Sequence, residues 1–289
     1  MPNTILSPKA RANELLAKVI KPIFGGNYLL PIRVEEFILE YTKQRFPNDP
    51  ITKITGADLP GFEGMLRQKK DKTGWQIIYS TTNYSKGRIR FTQAHEFGHY
   101  LLHRNDQHTV FQCSEADMYA WDADESNIEK EADEFAAAFL MPTDDFRIQV
   151  ENQKPSFDLL SHCANRYDVS LSAAMLKWVE LSPKRAIVLA VRDDYVLWAR
   201  SNTAALRSGA FLTARQKTIS TPFNSILRSK NQKSKIGYNE IQARKWFKDE
   251  PPDMQLKEMS FVSDQHGFTL GILLLPEAEY PHWKFNKKS

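Results

Sequence analysis

The sequence predicts an α+β protein whose helical and extended segments keep to separate stretches of the chain. Up to residue 182 the apolar residues recur mainly every three or four positions, as in helices buried on one face, with one pair of short extended runs among them. Past Pro183 the spacing turns to two-residue alternation, the period of half-buried strands. The expected divisions are residues 1–152, 153–182 and 183–289.

Composition sets the class. At 289 residues, 42% hydrophobic and 26% charged, the chain has the balance of a soluble globular protein of one to three domains. Its start lacks the basic and apolar regions of a signal peptide, and no apolar run is long enough to span a membrane. Cys113 and Cys163 are too few and too isolated for a disulfide framework or a cysteine metal site. They read as reduced thiols in a cytoplasmic protein.

Ser7-Pro8 forms a cap and first helical position, leading to Ala12, Leu15, Leu16 and Val19 at helical spacing. After Gly25-Gly26 a second helix follows, with Val34, Phe37, Ile38 and Tyr41 on one face. Residues 47–61, with three prolines and two glycines, read as loop. Phe62–Gln68 and Trp75–Ser80, joined by a charged turn ending in glycine, read as a β-hairpin.

The next helix carries His95-Glu96-x-x-His99. At about 100° per residue, histidines four apart project from one face and can share a divalent metal. Glu96 flanks them and can take a proton from the attacking water, the arrangement of a zinc peptidase. A kernel this short arises by chance in roughly one chain in a hundred, so context decides. Ala94, Phe97 and Leu101 line the same helix as an apolar stripe, which makes it partly buried. A catalytic zinc needs a third protein ligand. Zincins that use a third histidine place it six residues on, where this chain has Asn105. Residues 128–140 form another core-facing helix, stopped before Pro142. On it Glu129 and Asp133 share a face, so Glu129 can be the third ligand and Asp133 can orient a ligand histidine through its free ring N–H. The bland alternative is a solvated charged face, which the upstream histidine pair outweighs. His103 repeats the four-residue step and is expected to pack beside the site or support it. His108, His162, His266 and His282 carry no motif.

At these residues the chain resembles the ImmA/IrrE metallopeptidases. The resemblance runs from Arg88-x-Arg90-Phe91-Thr92-x-Ala94-His95-Glu96-x-Gly98-His99-x-Leu101-Leu102-His103 through Glu129-x-Glu131-Ala132-Asp133-x-Phe135-Ala136-Ala137 to Leu140-Met141-Pro142. It implies a zincin-like domain with ligands His95, His99 and Glu129, and Glu96 as general base. It also implies cleavage of a transcriptional repressor in a stress or DNA-damage response. Zinc is the default for two histidines and a carboxylate, though manganese or iron accepts the same donors. Zinc peptidases commonly pair extended substrate with an edge strand beside the metal. Trp75–Ser80, presenting Trp75, Ile77 and Tyr79, is the stretch expected to do so; the plain alternative is a structural hairpin.

Residues 156–181 offer two short helices around Tyr167-Asp168-Val169-Ser170, a helix-turn-helix-like unit. Its second helix presents only Ser172 and Lys177 as base-reading groups, so direct DNA binding is not expected. Beyond it Ala186–Val191, Tyr195–Arg200 and Phe268–Leu275 read as strands, and a helix is expected around Asn239–Phe247. The resemblance implies a GAF-like α+β domain here, with a small-molecule ligand; no ligand motif is visible. Charge is uneven. Thirteen acidic residues face two basic ones over 106–151, and eleven basic residues face one acidic one over 200–248. An acidic rim near the metal would favour a basic stretch of polypeptide as substrate. The sequence therefore points to a zinc endopeptidase acting on a protein, expected to be a helix-turn-helix repressor. The rival is a regulatory protein that binds a repressor or DNA and holds a structural metal.

Overall fold

The computed structural model describes residues 6–82, 85–105, 110–114, 127–214, 217–229, 236–263 and 267–277. They form two compact units, residues 1–153 with 162–170, and residues 154–161 with 171–289. The helical stretch 153–182 is divided between them.

In the first unit, α1 (Pro8–Leu15) starts where the Ser7 hydroxyl accepts from the Ala10 N–H, and it runs on through a π-helical turn, Leu16–Ile20, to Ile23. Helix α2 spans Val34–Arg45 and is fastened to the strand after it by a buried hydroxyl. Thr42 Oγ1 donates to Ile38 O at 2.8 Å and accepts from Ile51 N at 3.1 Å.

That strand corrects the loop expected over 47–61. Ile51–Ala57 is β1, paired in parallel with β3 (Trp75–Ser80), which pairs antiparallel with β2 (Phe62–Gln68) as the hairpin reading expected. The prolines and Gly61 only bracket the β-branched run Ile51-Thr52-x-Ile54-Thr55, and a partner 24 residues downstream (Ile51 opposite Trp75) does not register in local composition. The sheet is completed by β4 (Val110–Ser114) on the far side of β2, in the order β1-β3-β2-β4. β3 is therefore a central strand. Trp75 and Ile77 are buried, and Tyr79 is partly buried against the same core. The expectation that this strand offers an edge to substrate is overturned, because both of its backbone edges are taken.

Helix α3 (Lys86–Leu102) crosses this sheet and packs on α4 (Asn127–Leu140). Phe97 of α3 lies within ring contact of Phe37, Tyr41, Phe135 and Phe139, so one aromatic cluster ties α2, α3 and α4. Helix α5 (Thr143–Val150) follows Pro142, and α6 (Phe157–Tyr167) and α7 (Leu171–Leu181) flank Asp168, whose φ is 51°.

The second unit holds an antiparallel sheet of β5 (Arg185–Arg192), β6 (Tyr195–Ser201), β7 (Ile236–Gln242), β8 (Gln255–Ser263) and β9 (Phe268–Leu275), in the order β6-β5-β9-β8-β7. A short helix, α8 (Thr203–Arg207), follows β6. The helix expected around Asn239–Phe247 is instead β7 followed by one 3₁₀ turn, Ala243–Lys245. β7 pairs with β8 along its whole length, a long-range pairing that overrides local helical spacing. Two buried carboxylates brace the unit. Glu250 pairs with Arg185, and Glu258 accepts from Trp246 Nε1 at 2.7 Å and from Ile226 N at 3.0 Å. Among the described residues no helix is long and apolar enough to cross a membrane.

Candidate metal centre

Helix α3 begins where the Ser85 hydroxyl accepts from Arg88 N at 3.3 Å. From Thr92 to Tyr100 every residue is buried, since Ala94, Phe97 and Tyr100 face the core while the opposite face is covered by β2 and α4. Two glycines permit that closeness. A Cβ at Gly98 would stand 3.2 Å from Ala132 Cα and O, and one at Gly64 of β2 would stand 2.7 Å from Glu96 Oε1.

The helix pair brings three donors to one point. His95 Nε2 and His99 Nε2 lie 3.0 Å apart, and each faces a Glu129 oxygen, at 3.2 and 3.3 Å. Donors at about 2.0–2.1 Å from a tetrahedral zinc stand about 3.3 Å from each other, so the three are spaced as a metal ion requires. The chemistry agrees. His95 Nδ1 lies 2.8 Å from Asp133 Oδ1, a carboxylate that can only accept, which puts the ring proton on Nδ1 and leaves Nε2 as a bare lone pair. Bare nitrogens and a carboxylate converging on one buried point are stable when a cation lies between them. His95, His99 and Glu129 thus form a cluster able to hold a metal ion.

Glu96 lies beside the cluster, fully buried, with the Leu66 backbone N–H near its carboxylate and no side-chain hydrogen-bond partner among the described residues. Burial pushes its carboxyl up to about 8; His95 works against that shift and Glu129 adds to it. Burial alone would also raise Glu129, but the His95 and His99 rings facing it outweigh that and hold Glu129 well below the usual carboxylate range. Burial pushes His99 down to about 4, so its ring is neutral and has a lone pair to offer near neutrality.

Two further groups join the cluster. His103, the C-cap of α3, places Nδ1 3.1 Å from His99 Nδ1, and its Nε2 lies 3.0 Å from Glu131 Oε2. Glu131 stands in the resemblance pattern without a role, because on a helix this acidic it looks like any solvated charge. The step His95–His99–His103 was the available signal. Of the other histidines, His162 meets Gln149 away from the cluster, and His108, His266 and His282 lie outside the described residues. Cys163 is a free buried thiol, pushed up to about 11 by burial.

Among the described residues, five of the seven acids of 106–151 are engaged within the unit. Glu129, Glu131 and Asp133 serve the cluster, Asp144 binds Tyr28, and Asp145 binds Arg166 and Tyr167. Residues 115–126, with five more acids, lie outside the described residues.

Residues 51–178 match the family described as IrrE N-terminal-like domain (Peptidase M78). No curated protein matches the chain at a significant level. Among solved structures the chain is similar to a Mycobacterium tuberculosis transcriptional regulator, with a TM-score of 0.54 and 14% identity over 92% of this chain and 80% of that one. At that identity the likeness shows a shared fold and nothing about activity. The matched span runs from β1 into α7 and contains the whole His95–His99–Glu129 cluster, so the similarity to ImmA/IrrE-type metallopeptidases lies in the part of the chain that carries the metal donors.

Proposed function

We propose that this protein is a zinc-dependent endopeptidase that cleaves a protein substrate, a helix-turn-helix transcriptional repressor, in a stress or DNA-damage response. One observation carries the enzymatic part: a fully buried carboxylate, Glu96, with no side-chain hydrogen-bond partner among the described residues, stands beside three converging metal donors. A closed structural site would have no use for an unsatisfied acid there. A zinc ion held by His95, His99 and Glu129 would supply Lewis-acid polarisation of the scissile carbonyl and lower the pKa of the attacking water. Manganese fits the same donors. Glu96 takes the proton from the attacking water and delivers it to the leaving amine nitrogen. Asp133 keeps the His95 ring turned with Nε2 toward Glu129 and His99, where the ion would be held.

Extended substrate is assigned to β4. Among the described residues β4 is paired only with β2, the strand that passes over Glu96 at Gly64, which leaves the outer edge of β4 for strand addition. The repressor as substrate and the stress response rest on the family. The second unit is assigned as a GAF-like sensor of a small molecule, and the stretch 153–182 as a helix-turn-helix-like unit that binds protein rather than DNA. A separate α+β unit with an antiparallel sheet supports the first assignment.

The test is Glu96→Gln in the full chain. It is expected to bind zinc at parental stoichiometry while losing at least about 100-fold in peptide hydrolysis, measured on a library of repressor-derived polypeptides. Hydrolysis at the parental rate by this variant would end the mechanism. Parental output in the stress response without any hydrolysis would favour a regulatory protein with a structural metal.

A further inference from the structure

His95 and His99 are held in different ways. His95 Nδ1 meets a carboxylate directly, Asp133 Oδ1 at 2.8 Å. His99 Nδ1 meets another imidazole, His103 Nδ1 at 3.1 Å, and that ring reaches a carboxylate through its other nitrogen, Glu131 Oε2 at 3.0 Å. Glu131 is held in turn, its Oε1 accepting from the Asn127 amide at 3.2 Å. The chain of contacts leaves α3, crosses to α4 and ends on the first turn of the helix that also carries Glu129 and Asp133.

Proton bookkeeping makes this chain directional. Two ring nitrogens in contact share one proton, so one donates and the other accepts. Glu131 accepts only, so the proton of a neutral His103 sits on Nε2 and its Nδ1 is a bare acceptor. His99 must then donate from Nδ1, which leaves its Nε2 lone pair facing Glu129 and His95. The opposite order would place a proton on His99 Nε2 and close that nitrogen to a metal. His103 is 4% exposed, so water does not compete for the shared proton.

We propose that His103 and Glu131 are positioning residues of the metal centre, acting in series to fix His99 in the one tautomer whose Nε2 is free to bind the ion. The proposal rests on the metallopeptidase reading. It gives α4 three tasks: one ligand, Glu129, and one support behind each ligand histidine, Asp133 directly and Glu131 through His103. Neither His103 nor Glu131 touches the reacting atoms.

The experiment measures zinc affinity by chelator competition, and the absorption spectrum of the cobalt(II) form, on full-length chains. The variants are His103→Phe, Glu131→Ala, Glu131→Gln and the double His103→Phe/Glu131→Ala. Phenylalanine keeps the ring volume but cannot accept from His99. His103→Phe and Glu131→Ala are each expected to weaken zinc by about 10- to 100-fold and to shift the cobalt bands. The double variant should be no weaker than His103→Phe, because the two act in series. Glu131→Gln, whose amide oxygen still accepts from His103, should recover most of the affinity. A role in packing alone would lower the melting temperature of the metal-free protein and leave affinity and spectrum at parental values; that result overturns the proposal and leaves the metallopeptidase reading intact. Additive losses in the double variant overturn the series arrangement. If His103→Phe does not fold, the Glu131 pair decides, since that side chain is 35% exposed and replaceable. A parent chain that binds neither zinc nor cobalt overturns the reading and the proposal together.

Discussion

Glu96 can act only if its carboxylate points at the metal donors, and the residue that governs this is a glycine on another element. A Cβ at Gly64 would lie 2.4 Å from Thr92 Cγ2 and 2.7 Å from Glu96 Oε1. Something must then move, and the acid is the more flexible of the two. Gly64→Ala is therefore expected to keep full zinc stoichiometry while hydrolysis falls by up to about 100-fold, the scale of a 1 Å misplacement of a reacting group. Parallel metal analysis and a turnover assay check it, and an undiminished rate would show that the carboxylate has room to swing aside. Gly64 could not be picked out from the sequence, and Glu131 stood there only as a motif position without a role. What matters about each is the neighbour it meets, and those neighbours lie on other elements.

At the scale of elements, the approach of α3 to α4 sets the geometry of the centre. Alanine at Gly98 would gain about 1 kcal/mol in helix propensity. Its Cβ would also crowd the Ala132 backbone and the buried Phe135 ring, each at 3.2 Å. Overpacking of this kind costs about 1–3 kcal/mol, so Gly98→Ala is expected to lose about 1 kcal/mol net in denaturant unfolding. It should weaken zinc too, because Glu129 and Asp133 ride on α4. Greater stability with unchanged affinity would mean that the helices part freely. The junction of α5 and α6 offers a pH test. Burial alone would raise Asp145, but hydrogen bonds from Arg166 and Tyr167 outweigh it and hold it below its ordinary value. A carboxyl lowered in the folded state stabilises above its unfolded value, about 3.9, and that stabilisation is lost as pH falls through the folded value. Asp145→Asn should cost about 1–3 kcal/mol at pH 7. The gap from the parent should close in melts taken below pH 4, and a gap independent of pH would assign the loss to packing.

At the scale of the whole molecule, all the metal donors belong to one of two compact units. A ligand bound only by the folded state, at 100 times its Kd, adds about 2.7 kcal/mol. Calorimetry with zinc and then with a chelator is expected to move the transition of the first unit and leave that of the second in place. His95→Ala should abolish the shift. One transition that moves as a whole would show that the units unfold together.

The sequence by itself determined the elements whose pattern is local: α1 and α2 from their apolar spacing, the β2–β3 hairpin from two short runs about a turn, and α3 and α4 from amphipathic stripes carrying His95, Glu96, His99 and Glu129. Histidines four apart on a helix share a face wherever that helix is placed, so this half of the site is written in the chain. Tertiary structure alone decided the rest. It drew Ile51–Ala57 out of a proline-bracketed stretch into a parallel strand, buried β3 at the centre of its sheet, and turned Asn239–Gln242 from expected helix to strand. It also set His103 between His99 and Glu131. In each case the deciding partner lies tens of residues away or on a different element, and a pairing at that distance leaves no mark on local periodicity.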